Sequence, residues 1–266
     1  MSNADLNNCV SCPVHNLGNL KKLGINMSNF DFVVALAGNP NTGKSTVFNY
    51  LTGLRQHTGN WPGKTVTRAE GGFEYNEKKF KLVDLPGTYS LLSTSTDEEV
   101  ARDFILFGQP DVTVIVVDAT RVERNLNLVL QILEITDRAV VCLNLMDEAK
   151  RNGFQIDERA LAKELGVPVI PAAARQGEGM NELLKVIFDV ATGNYVCKPH
   201  RIKSSSKELN AAVGRLSQEI KLEFPGLPNA RWVALRLLEG DQSIIDSIRS
   251  GELGNLKKEE FLIETD

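Results

Sequence analysis

Apolar residues along the chain form short runs that alternate with segments of helical spacing. Runs typical of buried strands cover residues 32–37, 67–75, 79–84, 112–118, 139–145 and 167–171. Helical spacing covers residues 45–52, 124–135, 157–165 and 180–191, and Asp157 is predicted to cap the third of these helices. Residues 55–64 contain two glycines and a proline and are predicted to be a loop. This alternation predicts an α/β fold with a mostly parallel six-stranded sheet and helices on both faces.

The strand pattern stops after Gly193, which predicts a change of domain. Helical spacing over residues 204–222, 230–238 and 242–248 indicates a small C-terminal helical domain. We therefore predict a main domain over residues 31–194 and a helical domain over residues 200–266. Residues 1–30 are rich in Asn, Ser and Gly and lack periodicity, so they are predicted to be a loosely held N-terminal extension.

Composition and charge narrow the classes of function. Lys and Arg total 30 against 34 for Asp and Glu, a net charge of −4, so we expect no nucleic-acid partner. No apolar run approaches the roughly 20 residues that span a bilayer, and the N-terminus lacks a secretory pattern. Four cysteines are too few for a disulfide framework at this length, which favours a reducing cytosolic setting with Cys142 as a buried apolar residue.

Cys9, Cys12 and His15 form the pattern C-x-x-C-x-x-H near the N-terminus. Thiolates and imidazole are suitable ligands for zinc or iron, but a fourth ligand is not evident. Two interpretations stay open, a metal site and a tail with two free thiols. We favour the tail, because a partial ligand set on a chain terminus rarely closes a tetrahedral site.

A phosphate-binding loop is predicted between the first strand and the first helix. Residues Gly38 to Ser45 read G-N-P-N-T-G-K-S, which matches G-x-x-x-x-G-K-S. The backbone N–H groups of such a loop and the helix N-terminus after it attract phosphate. Lys44 is expected to reach the β- and γ-phosphates, and the Ser45 hydroxyl is expected to bind Mg²⁺.

A second motif, D-x-x-G, ends the strand over residues 79–84. Asp84 is predicted to hold the water shell of the metal, and Gly87 is predicted to let the following loop sense the γ-phosphate. Thr88 follows, whereas Ras-like enzymes have a glutamine that orients water at this position. We therefore expect slow hydrolysis.

Two further segments predict a preference for guanine. Asn144 to Asp147 match N-x-x-D, and the Asp147 carboxylate can accept hydrogen bonds that guanine offers and adenine does not. Met146 stands where a lysine is usual. In the last motif, usually S-A-K, Ala173 replaces the serine, and the N–H of Ala174 is expected to meet the guanine oxygen.

These motifs, in this order, resemble the cytosolic N-terminal domain of the ferrous iron transport protein B family. The family-specific stretches are R-Q-H-T-G-N-W-P-G-K-T-V over residues 55–66, G-T-Y-S over residues 87–90 and V-A-R-D-F over residues 100–104. The resemblance covers residues 32–193 well and extends, without a sharp motif, to a helical domain reported to favour GDP. It implies a Ras-like P-loop GTPase fold.

The resemblance also implies roles for individual residues. Thr65 would close on Mg²⁺ and the γ-phosphate, and Asn41 would bind K⁺ together with the carbonyls of Gly59 and Trp61. Such a cation would supply the charge that an arginine supplies elsewhere. Asn41 could instead only stabilise its loop, and Trp61 could be an apolar lid, which we expect to be partly exposed without nucleotide.

The predicted site residues fall into three groups by role. Catalysis is assigned to Lys44, Thr65 and Asn41. Metal binding is assigned to Ser45, Thr65 and Asp84 for Mg²⁺ and to Asn41, Gly59 and Trp61 for K⁺. The residues expected to contact GTP or GDP are Gly38, Asn39, Pro40, Asn41, Thr42, Gly43, Lys44, Ser45, Thr46, Gly63, Lys64, Thr65, Asp84, Gly87, Asn144, Met146, Asp147, Ala172, Ala173 and Ala174.

The function predicted from this resemblance is a GTP-hydrolysing domain that regulates a ferrous iron transporter. Its partners would be guanine nucleotide and the membrane domain of the same parent protein, at the cytoplasmic face of the cell membrane, and a homo-oligomer stays open. We expect the chain to be a fragment, since the family continues into a membrane domain. The alternatives are a GTPase of ribosome assembly or RNA modification and a module that only binds nucleotide. An ATPase is disfavoured by Asn144 and Asp147.

Overall fold

The computed structural model describes residues 20–92, 95–201, 206–224, 227 and 229–250. Its strands alternate with helices over most of this length, as the apolar runs predict. The strands are β1 (Phe32–Gly38), β2 (Gln56–Asn60), β3 (Thr67–Tyr75), β4 (Lys78–Asp84), β5 (Val112–Asp118), β6 (Ala139–Asn144) and β7 (Val169–Pro171).

In the described part of the chain, every predicted helical segment is confirmed within a few residues, and further helices are present. The helices are α1 (Lys44–Thr52), α2 (Thr96–Gly108), α3 (Val122–Ile135), α4 (Met146–Arg151), α5 (Glu158–Leu165), α6 (Met180–Ala191), α7 (Lys207–Glu223), α8 (Ala230–Leu238) and α9 (Gln242–Ser250). The Asp157 carboxylate accepts a hydrogen bond from the N–H of Ala160 and so caps α5 as predicted. The two helices that the sequence analysis missed, α2 and α4, both flank the candidate site.

The described strands form one sheet of seven strands in the order β2-β3-β4-β1-β5-β6-β7, not the six predicted. The pairs from β4 through β1, β5 and β6 to β7 are parallel, while β2–β3 and β3–β4 are antiparallel. The loop prediction for residues 55–64 was wrong for Gln56–Asn60, which pair with Thr67–Gly71. This edge strand is polar, so it carries no alternation of apolar residues that would reveal it.

The core lies on both sides of the central strands. Every residue of β5 and β6 is buried, which requires helices over both faces of the sheet. Cys142 in β6 is fully buried, and desolvation raises the pKa of its thiol to about 12, which confirms it as an apolar core residue. The parallel strands end at a common edge, and the predicted motifs follow these ends.

The chain divides into two compact units at residues 201 and 202. In the first unit, residues 20–30 differ from the expected loose extension, because Leu20 and Ile25 are each only 2% exposed. In the second unit, α8 packs against α7 and α9, with Trp232 and Val233 buried. The predicted boundaries at residues 31, 194 and 200 stay predictions. Among the helices of the described part of the chain, none is long and apolar enough to cross a bilayer.

Candidate functional site

The phosphate loop connects β1 to α1 in a conformation that needs its glycine. Gly43 has φ of +78°, and a Cβ atom at this position would collide with the side-chain amide of Asn144. As N-cap of α1, Gly43 has no side chain that could bond the first free N–H groups of the helix. These N–H groups and the positive end of the helix dipole therefore remain directed at a bound anion.

Lys44 and Asp84 lie together beside this loop. The Lys44 ammonium donates to the Asp84 carboxylate and to the carbonyl of Leu85, the latter at 2.7 Å. Burial raises the pKa of Asp84 above its usual range, and the charge of Lys44 partly opposes that shift. The side chains are only 12% and 18% exposed, so the two charges interact in a site of low polarity.

The second motif packs directly against the phosphate loop. The N–H of Thr88 donates to the carbonyl of Gly38 at 3.3 Å. A Cβ atom added to Gly87 would be in van der Waals contact with the backbone of Pro40 at 3.5 Å, so these two segments lie close together. The phosphate loop and the D-x-x-G motif, which are separate in sequence, therefore lie side by side at this edge of the sheet.

Asn144 ties the phosphate loop to the predicted guanine loop. Its side-chain amide donates to the carbonyl of Thr42 at 3.0 Å, and its side-chain oxygen accepts from the N–H of Ala174 at 3.0 Å. Asn144 is 1% exposed, and the peptide groups that it joins are far apart in sequence. One buried side chain thus fixes the distance between the two loops.

Asp147 is the second residue of α4 and lies next to the loop over residues 172–174. Its carboxylate accepts hydrogen bonds from Arg151 and Gln176, each at 3.2 Å. The N–H of Met146 donates to the carbonyl of Ala172 at 3.1 Å, which joins the two segments predicted to contact guanine. The Asp147 side chain is 23% exposed, so its carboxylate remains accessible to a ligand.

The segment Arg55–Val66, which we call the switch segment, contacts other parts of the domain. Trp61 is 3% exposed, so the expected exposure of this ring was wrong: it packs on Phe104 of α2, a helix that the sequence analysis did not predict. Gly59 lies in β2 opposite Arg68, and the carbonyl of Trp61 accepts a hydrogen bond from the N–H of Lys64. Lys64 forms an ion pair with Glu99, while Thr65 is exposed.

The structure thus brings most predicted site residues to one edge of the sheet. Those gathered at the carboxyl ends of the strands are Gly38, Asn39, Pro40, Asn41, Thr42, Gly43, Lys44, Ser45, Thr46, Asp84, Gly87, Asn144, Met146, Asp147, Ala172, Ala173 and Ala174. Gly63, Lys64 and Thr65 belong to the switch segment, which contacts α2 through Lys64 and Trp61 and pairs with β3. Cys9, Cys12 and His15 lie outside the described residues.

Sequence reasoning missed three groups at the site. The carbonyl of Leu85 binds Lys44, and Arg151 and Gln176 bind Asp147. The spacing of Asp147 and Arg151, four residues apart on one helix, is a signal that could have been read. Gln176 and the carbonyl of Leu85 carry no such signal, because their contacts depend on tertiary structure.

Comparison with known families agrees with this arrangement. The family model described as "Ferrous iron transport protein B" matches residues 32–187, and the model of the FeoB cytosolic helical domain matches residues 206–264. The first match alone covers more than half of the chain. The chain belongs to the ferrous iron transport protein B (FeoB) family. It contains the GTPase (G) domain of that family, with its Ras-like fold, and the small helical domain that follows.

Curated relatives cover most of the chain but extend far beyond it. The Fe(2+) transporter FeoB of Salmonella typhimurium is 43% identical over 213 residues, which are 78% of this chain and 27% of that protein. The Fe(2+) transporter FeoB of Escherichia coli strain K12 is also 43% identical, over 212 residues. The chain therefore spans about a quarter of the length of the curated relatives it matches.

Solved structures of FeoB domains are similar to both units. The cytosolic domain of T. maritima FeoB in a GDP form has a TM-score of 0.74 and 37% identity, and the match covers 86% of this chain and 89% of that one. The same domain in a GMPPNP form has a TM-score of 0.75 and 37% identity, with 84% and 86% covered. The G domain of Methanococcus jannaschii FeoB is 48% identical with a TM-score of 0.54, covering 60% of this chain and 97% of that one.

Proposed function

We propose that this chain binds GDP and GTP, hydrolyses GTP slowly with Mg²⁺ and K⁺, and thereby regulates ferrous iron transport by its parent protein. The parent would place this domain at the cytoplasmic face of the cell membrane. Transport itself would be carried out by a membrane portion of the parent, and this chain covers only 27% of the Fe(2+) transporter FeoB of Salmonella typhimurium.

The observation that supports nucleotide binding best is the bridge made by Asn144. Its two hydrogen bonds hold the phosphate loop, at Thr42, and the guanine loop, at Ala174, at a fixed separation. A nucleotide contacts both loops at once, with its phosphates on one and its base on the other. A site assembled in advance loses less entropy on binding, which favours tight binding of the ligand that fits it.

The residues of the chain have separable tasks toward the nucleotide. The N–H groups at the start of α1 and the Lys44 ammonium bind the phosphates and counter the negative charge that develops on them. The Asp147 carboxylate accepts from the guanine N1–H and amine, which selects guanine over adenine. Thr88 carries no carboxamide to orient water, so turnover depends on backbone groups and is slow.

The oxygen ligands at the site fit Mg²⁺. Asp84 supplies a carboxylate, and Ser45 supplies a hydroxyl at the second residue of α1, and Mg²⁺ prefers such oxygens. Thr65 would complete this set when the switch segment closes. Bound Mg²⁺ would supply positive charge that withdraws electrons from the phosphate oxygens.

The nucleotide preference can be tested by calorimetric titration. We expect GDP and GTP to bind at least about 100-fold more tightly than ATP, because an unpaired buried acceptor strongly disfavours the wrong base. Asp147→Asn should weaken guanine binding and favour xanthine nucleotides, while Glu158→Gln in the first turn of α5 should change neither. Equal affinities for ATP and GTP would overturn the proposal.

The role of K⁺ rests on Asn41, whose backbone lies in the left-handed region with φ of 65° in the phosphate loop. Its side-chain oxygen, with the carbonyls of Gly59 and Trp61, would hold a cation near the β- and γ-phosphates. We expect GTP hydrolysis to be about 10²- to 10³-fold faster in KCl than in NaCl, the usual effect of one such charge contact. Asn41→Ala should abolish this difference and leave GDP affinity largely unchanged. The same rate in both salts would leave Asn41 as a structural residue.

A further inference from the structure

Trp61 is held in the switch segment by two partners outside that segment. Its ring packs edge-on against Phe104 of α2, with 5.4 Å between ring centroids and an interplanar angle of 70°. The guanidinium of Arg68, in β3, lies over the same ring at 5.3 Å from its centroid. A large aromatic side chain in a polar segment is therefore buried by a helix and a cation.

Arg68 also contacts the chain that precedes β1. Its two terminal nitrogens donate to the carbonyl of Leu23 at 2.8 Å and to that of Gly24 at 3.2 Å, and its Nε pairs with Glu70 at 2.7 Å. Glu70 in turn pairs with Lys81. Because a guanidinium is a rigid plane with donors in fixed directions, the positions of these carbonyls determine where the plane meets Trp61.

The segment that supplies these carbonyls is firmly packed. Leu20 and Ile25 are buried, and the N–H of Ile25 donates to the carbonyl of Leu20 at 2.8 Å. Gly24 has φ of +79°, and a Cβ atom there would lie 2.6 Å from Arg68, so a residue without a side chain is required. The Arg68 guanidinium is thus hydrogen-bonded to a turn that is itself packed into the core.

We propose that Arg68 is a positioning residue that holds the switch segment in the conformation with Trp61 buried against α2, with the turn at residues 20–25 as its support. This inference rests on the proposed function, in which Thr65 closes onto Mg²⁺ and the γ-phosphate. In the held conformation Thr65 is exposed and the adjacent Lys64 is paired with Glu99. Closure must exchange these contacts for contacts with GTP, so Arg68 favours the state without a bound γ-phosphate.

The difference in free energy between the held conformation and the conformation closed on GTP is expected to be small. The half-exposed pair of Lys64 and Glu99 contributes little. The buried Nε1 of Trp61 has no hydrogen-bond partner among the described residues, which disfavours the held conformation. The contacts with Arg68 and Phe104 offset that penalty. Removing the Arg68 contact is expected to release the ring.

The test uses Trp61 as its own reporter. The chain has two tryptophans, so Trp232→Phe leaves only Trp61 to fluoresce. In this background Arg68→Gln removes the positive charge over the ring. Arg68→Lys keeps the charge but loses the planar guanidinium with its several N–H donors. Ile25→Asp places a charge in the buried supporting turn and is expected to displace it. Acrylamide quenching of Trp61 and the affinities for GDP and for a non-hydrolysable GTP analogue are measured for each, with kcat and KM for GTP.

We expect Arg68→Gln and Ile25→Asp to increase quenching and to raise the affinity for the GTP analogue relative to GDP by about three- to tenfold, the effect of losing one cation–π contact with its hydrogen bonds. KM for GTP should fall more than kcat changes. Arg68→Lys should lie between wild type and Arg68→Gln. Arg138→Gln, which removes an exposed arginine paired with Asp111 at 3.3 Å, should alter none of these values.

Unchanged quenching in Arg68→Gln and Ile25→Asp would overturn the proposal, and so would a lower ratio of analogue to GDP affinity. Increased quenching with an unchanged ratio would show that Arg68 only packs Trp61, which also contradicts the positioning role. Wild-type protein that binds no guanine nucleotide would instead contradict the proposed function. The quenching measurement separates these failures, because it needs no nucleotide.

Discussion

The two halves of the candidate site are held in different ways. One half, which we call the bonded half, comprises the loops predicted to contact the phosphates and the base, and it is joined by Asn144, whose buried side chain bonds the backbone of both loops. The switch segment pairs with β3 through Gln56–Asn60, but its residues 61–65 are held by side chains from outside the segment, through Trp61 on Phe104 and Lys64 on Glu99. The bonded half is joined by a buried side chain, while residues 61–65 of the switch segment depend on side-chain contacts that a competing ligand can replace.

This difference suits the two halves to different tasks: the bonded half to binding the nucleotide and the switch segment to detecting its γ-phosphate. A bonded, buried framework holds its geometry whether the ligand is GDP or GTP, so it suits the parts of the nucleotide that both share. Residues 61–65 of the switch segment are held by one aromatic ring and a half-exposed ion pair, so little free energy is needed to exchange these contacts, and we expect a γ-phosphate to shift their population.

The largest effect is expected from Lys44→Ala. Loss of the ammonium beside the phosphate loop should lower GTP affinity by about 10³-fold, since charge-assisted contacts to phosphate are strong in a poorly solvated site. Titration with a fluorescent GTP analogue measures the loss, and Lys163→Ala on α5 is the matched control. Quenching of Trp61 without nucleotide should stay unchanged; a change would mean that the halves are coupled through Lys44.

Asn144→Ala should damage the bonded half. It leaves the carbonyl of Thr42 and the N–H of Ala174 without their buried partner, which costs about 2–4 kcal/mol in the free energy of unfolding. Urea denaturation followed by circular dichroism measures this, and Asn181→Ala at an exposed position of α6 should stay within about 0.5 kcal/mol of wild type. A loss of under about 1 kcal/mol would show that the bridge does not hold the loops together.

The bonded half is the part that the sequence predicted well. Its residues lie in local motifs, each directly after a buried strand, so strand prediction and parallel topology together bring Lys44, Asp84 and Asn144 to one edge. Cys142 in the same core was predicted correctly for the same reason, since an unbroken apolar run in a parallel sheet is buried.

The switch segment was predicted poorly because its structure depends on distant partners. The strand Gln56–Asn60 is polar and exists only through pairing with β3, and Trp61 is buried only because α2 and Arg68 cover it. Residues 20–30 lack helical or strand periodicity, yet Leu20 and Ile25 are buried through tertiary contacts. Local patterns cannot reveal burial that a partner far along the chain provides.

Acidification should act on the bonded half through Asp84. Because burial raises the pKa of this carboxyl, it takes up a proton at a higher pH than an exposed aspartate does. Below that pKa the affinity for Mg²⁺ with GDP should fall by up to about tenfold per pH unit. The native state binds this proton more tightly than the unfolded state, so the contribution of Asp84 to the free energy of unfolding should rise as pH falls.

These opposite trends are measured by titration and by urea denaturation over the same pH range. Asp84→Asn should flatten both profiles, whereas Asp246→Asn in α9 should leave both as in wild type. Parallel trends in the two profiles would contradict the assignment to Asp84.

The smallest effect is expected for the chemical labelling of Cys142, which GDP should not change. Cys142 lies in β6, two residues before Asn144, and its thiol is buried with a pKa raised to about 12. Thiolate forms only as pH approaches that value, so in a variant with Cys9, Cys12 and Cys197 replaced by serine, iodoacetamide at pH 8 should label under roughly a tenth of the folded protein while it labels urea-unfolded protein fully. This should hold with and without GDP, because the bonded half does not open.

Addition of the GTP analogue to the same protein should change the quenching of Trp61, because the switch segment must exchange its contacts. Rapid labelling of Cys142 in the nucleotide-free protein would mean that the base-reading half opens as readily as the switch half, and the distinction between the two would fail.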